Sequence, residues 1–111
     1  MAITCTQLTS TGITTVYTSS SNNAITTMII CNTGAVNLTD ETVNAASLTL
    51  HLVPASSSAT DVNKVISNLN IPAGETVFFS DERIVLGNND TVQAQANVAN
   101  LLSITVSTLP V

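Results

Sequence analysis

Residues 70–106 constrain the fold of this chain more than any other stretch. Asn70-Ile71-Pro72-Ala73-Gly74-Glu75 carries a Pro-x-Gly turn, in which Gly is free to take a positive φ. Thr76-Val77-Phe78-Phe79-Ser80 follows as a β-branched and aromatic run. Leu86-Gly87-Asn88-Asn89-Asp90 is a second tight turn. Beyond it, Thr91-Val92-Gln93-Ala94-Gln95-Ala96 alternates strictly, and Leu102-Ser103-Ile104-Thr105-Val106 repeats that period. Alternation of period two sends successive side chains to opposite faces of a strand. The stretch therefore demands an antiparallel sheet with one face buried.

Composition extends that conclusion to the whole chain. Charged residues make up 8% of the 111 residues, against roughly 25% in an ordinary soluble protein. The polar surface must come from Thr, Ser and Asn. Thr favours strands, while Ser and Asn favour turns and compete with helix. The net charge is −5, with Lys64 and Arg83 the only cations. Nucleic-acid binding needs several cations against phosphates, which two scattered cations do not supply, and anionic membrane surfaces are disfavoured for the same reason; neither nucleic acid nor membrane is expected as a partner. So sparse a set of charges suits a subunit held in an assembly better than a lone monomer.

The remaining segments read as short strands between turns. Residues 2–8, 13–18, 25–32 and 47–53 are strands, the last stopped by Pro54. Residues 35–46 form an irregular connection, and 55–60 a surface loop. The segment 61–70 has apolar residues at helical spacing, yet Asn63, Ser67, Asn68 and Asn70 weaken a helix. A strand with Lys64, Ile66 and Asn68 outward is expected there. Residues 76–80 carry both phenylalanines, one of which should anchor the core. A turn at 81–83 with 84–86 packed beneath it, strands at 91–97 and 101–108, and a tail at 109–111 complete the chain. The whole is one domain, all-β, an antiparallel β-sandwich of about seven to nine short strands, either immunoglobulin-like or jelly-roll-like.

No catalytic constellation emerges. His51 lies mid-strand with its side chain directed away from Leu50 and Leu52, which reads as a surface or interface histidine. No nucleophile motif accompanies it. The carboxylates sit at expected turns and strand ends, where solvation and turn capping account for them. Asn88 and Asp90 lack the spaced oxygens of a calcium loop. Cys5, Cys31 and His51 lack both a fourth ligand and zinc-site spacing. The two cysteines read as reduced, buried thiols, with pairing between them left open. The first residues lack the basic and apolar regions of a signal peptide, and no apolar run is long enough to span a membrane. No cofactor or metal is expected.

Several motifs taken in order carry a resemblance. They are Ile13-Thr14-Thr15-Val16-Tyr17-Thr18 leading to Asn23-Ala24-Ile25-Thr26, the strand end Cys31-Asn32-Thr33-Gly34, and Ile71-Pro72-Ala73-Gly74-Glu75-Thr76. Asn89-Asp90-Thr91-Val92-Gln93-Ala94 and Ser103-Ile104-Thr105-Val106 complete the set. With them the chain resembles small β-sandwich virion proteins of tailed bacteriophages. The segments 40–46 and 56–61 depart from that pattern. The resemblance implies a non-enzymatic virion protein, assembled in the host cytoplasm. It would be a capsid decoration (cement) protein bound to the major capsid protein, with a neck or tail component as the alternative. A homo-oligomer, trimer or dimer, is implied with it. A host-binding adhesion module is the reading from a different class, although Trp is absent and Tyr17 is the single tyrosine. By position, the candidate interface residues are His51, Ser20, Asn22, Ser57, Leu109 and Val111.

Overall fold

A computed structural model describes residues 2–80 and 84–111. In chain order the strands are β1 (Ala2–Gln7), β2 (Thr14–Thr18), β3 (Asn23–Asn32), β4 (Ala46–Val53), β5 (Lys64–Ile71), β6 (Thr76–Phe79), β7 (Ile84–Leu86), β8 (Thr91–Ala96) and β9 (Leu102–Pro110). All pairings are antiparallel. One sheet runs β1-β9-β3-β6, with β7 also on β3; the other runs β2-β8-β4-β5. β6 meets β3 at 28–31 and β7 meets it at 23–25, so the two are halves of one interrupted edge strand. Counted as one, they make the connectivity that of a jelly roll, two interlocked Greek keys folded into a sandwich. Of the two sandwich types expected, the strand order selects this one. The turn expected at 81–83 lies outside the described residues.

The core follows from the alternation. Leu102, Ile104 and Val106 of β9 and Met28 and Ile30 of β3 face Leu48 and Leu50 of β4 and Val92, Ala94 and Ala96 of β8. All ten side chains are buried, each larger one worth about 1.5–3 kcal/mol of transfer free energy. A register shift between Ile25 and Thr27 lets Ile25 and Met28 point inward although three residues apart. Phe79 packs against this core while Phe78 stays 64% exposed.

Three expectations need correction. In β5 it is Val65 that faces solvent, while Ile66 and Leu69 pack inward. Asn68 takes φ 55 beside a register shift against β4, and the bulge reverses the phase halfway along the strand. The expected tail is strand: Leu109 pairs with Ala24 and Pro110 with Asn23. Pro110 closes the strand's end, where its missing donor costs least. The cysteines are not buried. Cys5 is exposed, Cys31 is half-buried, and both are free. Cys5 pairs across to Thr105 and Cys31 to Ser103, so both lie on the outward face with β9 between them. Two strand spacings, about 9–10 Å, exceed the reach of a disulfide.

Two buried polar side chains lock the ends of the sandwich. Asn32 has no exposed surface; its Nδ2 donates to the carbonyls of Asn44 (2.8 Å) and Ile71 (2.9 Å). Its Oδ1 accepts from the Gly34 N–H at 2.9 Å. The β5–β6 turn joins the same knot, since the Asn32 N–H donates to Glu75 O and the Gly74 N–H to Asn32 O. Gly74 has φ 77, and a Cβ there would meet Val36 at 2.6 Å. At the opposite end Ser19 is equally buried. Its N–H donates to Asp90 O, its carbonyl accepts from Asn89 N–H, and its hydroxyl accepts from Asn23 Nδ2.

Candidate interaction surface

The structure moves His51 from surface to interior. It is 3% exposed, because residues 58–63 fold over the outer face of β4. Its Nδ1 lies 2.9 Å from Asn63 Oδ1 and 3.1 Å from Thr60 O. Asn63 Nδ2 donates to Ser58 O, and Asn63 Oδ1 accepts from Thr60 N–H, which fixes the amide's orientation. Both groups facing Nδ1 are therefore acceptors, so Nδ1 carries the proton and donates. The imidazole is a clasp for the β4–β5 loop and does not offer itself to a partner.

Asp90 has a similar role. One carboxylate oxygen accepts from Ala55 N–H and the other from Gly87 N–H, both at 2.8 Å. The carboxylate is used up in joining two loops. Among the described residues no group of three or more His, Cys, Asp or Glu could hold a metal ion. Nor is any helix there long and apolar enough to cross a membrane.

Of the other candidate residues, the fold gathers four at one end of the sandwich. Ser20 and Asn22 are exposed in the β2–β3 loop, and the Val111 N–H donates to Asn22 O at 3.1 Å. Leu109, 40% exposed, and Val111, 67% exposed, stand beside them. Ser57 is exposed in the loop that Ala55 and Asp90 tether to this same end.

The outward faces of the two sheets differ in kind. On the β2-β8-β4-β5 sheet a shallow groove of about 330 Å³ is lined mainly by hydroxyls and amides, those of Thr11, Ser47, Thr49, Asn68, Gln95 and Asn97, with Ala96 between them. The other sheet presents apolar groups among hydroxyls. Register places Cys5, Thr105, Ile29 and Phe78 in one row across four strands. The neighbouring row is Ile3, Ser107 and Thr27. Ile3 is 71% exposed and Val85, on β7, 63%. None of the strands of this sheet contains a charged residue. Single alternating residues announce each strand's faces, but the lack of charge across the described residues of this face is visible only once register sets β1, β9, β3 and the β6/β7 edge side by side.

A scan against protein-family models and a search of curated proteins both find no match to this chain.

Proposed function

We propose that the chain is a non-enzymatic structural protein of a tailed-phage virion, a capsid decoration (cement) protein that stabilises contacts between coat subunits. The observation that carries this reading is the uncharged outer sheet with exposed Ile3, Phe78 and Val85 on a chain of net charge −5. A surface of that kind favours burial in an assembly. The motif resemblance supplies the virion context. The fold is compatible, since jelly rolls recur in viral capsids, but they recur in lectins too. Residues Ser20, Asn22, Leu109 and Val111 form a second surface suited to the major capsid protein.

Cryo-EM of purified particles tests the proposal directly. Density for this chain on the shell, in hundreds of copies, supports decoration; about a dozen copies at one vertex would make it a neck or tail component. Its absence from every particle would overturn both. The amide- and hydroxyl-lined groove favours a second reading, a host-binding module for a neutral glycan. A glycan array on which the purified protein gives no signal would remove that reading.

A further inference from the structure

We infer that the outward face of the β1-β9-β3-β6/β7 sheet is a self-association surface, taken by the same face of a second copy in a two-fold pair. This deepens the proposed structural role by naming a contact of the subunit, and it fails separately, because it is measured on the isolated chain.

Charge selects the occupant. The described charged residues are Asp40, Glu41, Asp61, Lys64, Glu75 and Asp90, and every one but Lys64, which begins β5, lies in a loop or turn. β5 belongs to the other sheet. Copies of a chain with net charge −5 repel one another, and this face is where two can meet with their described carboxylates kept to the periphery. Among the described residues of these strands, a basic partner would find no carboxylate to pair with. A second copy finds the same mixture of Ile3, Ile29, Phe78 and Val85 among Thr and Ser hydroxyls, which an isologous contact makes self-complementary.

Size fits a modest pair. Four strands abreast at about 4.8 Å, roughly eight residues long, cover about 500 Å² per copy and about 1,000 Å² for both. That sits at the lower bound of a specific interface, so a weak, concentration-dependent dimer is expected.

Sedimentation equilibrium of the full chain from about 1 μM to 1 mM is the test. The wild type should pass from monomer to dimer, and raising salt should strengthen or leave unchanged the association, since screening relieves like-charge repulsion. Phe78→Lys and Thr105→Lys, both outward on this sheet, should stay monomeric at every concentration with unaltered circular dichroism. Thr15→Lys, exposed on the opposite sheet, should dimerise as the wild type does. In a Cys31→Ser background, alkylation of Cys5 should slow at least severalfold at the concentrations where the dimer forms. A wild type that is monomeric at 1 mM overturns the inference. So does association that survives both face substitutions, or that Thr15→Lys abolishes.

Discussion

Replacing Asn32 by alanine should be among the most damaging polar substitutions this fold can suffer. The side chain ties β3 to the β3–β4 connection and to the end of β5 through three hydrogen bonds. The bond to Ile71 O is buried, and leaving that carbonyl unpaired costs about 2 kcal/mol. The bonds involving Asn44 and Gly34 are part-buried, so water can partly replace them, and each is worth about 0.5–1 kcal/mol. The sum is about 3–4 kcal/mol, a large share of the 5–15 kcal/mol that holds a domain together. For a chain of this size the melting temperature should fall by about 12–16 °C. Urea unfolding followed by circular dichroism measures the first quantity and calorimetry the second. Asn32→Asp is the sharper comparison. It keeps an acceptor for Gly34 but aims a carboxylate at two carbonyl oxygens, so at neutral pH it should be less stable than Asn32→Ala. That burial raises the introduced group's pKa, so stability should recover as pH falls through it. An Asn32→Ala protein within about 1 kcal/mol of wild type would refute the reasoning. An aspartate variant more stable than the alanine one at pH 7 would do so as well.

The other substitutions probe the loops. His51→Phe should remove the Nδ1 donor facing Asn63 and Thr60, and limited proteolysis should then cut within 55–63 faster than in wild type. Asp90→Ala should cost about 2 kcal/mol in chemical denaturation, since two backbone N–H groups lose a charged acceptor. Gly74→Ala should cost about 1–3 kcal/mol, because a side chain at φ 77 is strained and its Cβ meets Val36. The Thr42 hydroxyl and N–H donate to Asp40 and hold its carboxyl below the ordinary aspartate value. This local order is present at neutral pH and is lost as pH falls through the lowered pKa. The Thr42 amide resonance should report it by shifting only in that acidic range.

The legibility of this chain tracks how local the cause of each feature is. Val92, Ala94 and Ala96 alternate against Gln93, Gln95 and Asn97, and that alternation alone suffices to orient β8. The Pro72–Glu75 turn was readable for the same reason: Gly74 adopts the positive φ that its position invited. Phase failed in β5 because Asn68 carries a bulge, and an asparagine in a loop-like run gives no sign of which residue will be extra. Leu109 and Pro110 read as a tail because proline resists strands, whereas the last position of β9, opposite Asn23, tolerates it. His51 was placed on the correct side of β4 but at the wrong depth. Its cover comes from residues 58–63, and loop packing over a sheet leaves no period to detect. Asn32 reads from sequence only as the end of a strand, and neither it nor Ser19 shows its anchoring role there, since Ile71 and Asp90, which they bond, lie in segments remote in sequence.

The pairing of β1 with β9, Ala2 opposite Thr108, also shapes how the molecule is made. β1, synthesised before the other strands of the sandwich, must wait for β9 before its ladder can form. Until then β3 lacks its central neighbour, and the strands of that sheet expose uncharged edges and apolar faces. Closing so long a loop makes folding slow, on the order of milliseconds to seconds for non-local β folds. During that interval the few carboxylates, in excess over the cations, carry nearly all the repulsion that keeps nascent copies apart. The scarcity of charge that suits the finished surface to assembly therefore makes the unfinished chain vulnerable to premature contact, so synthesis rate and temperature should govern soluble yield more strongly than the stability of the folded sandwich does.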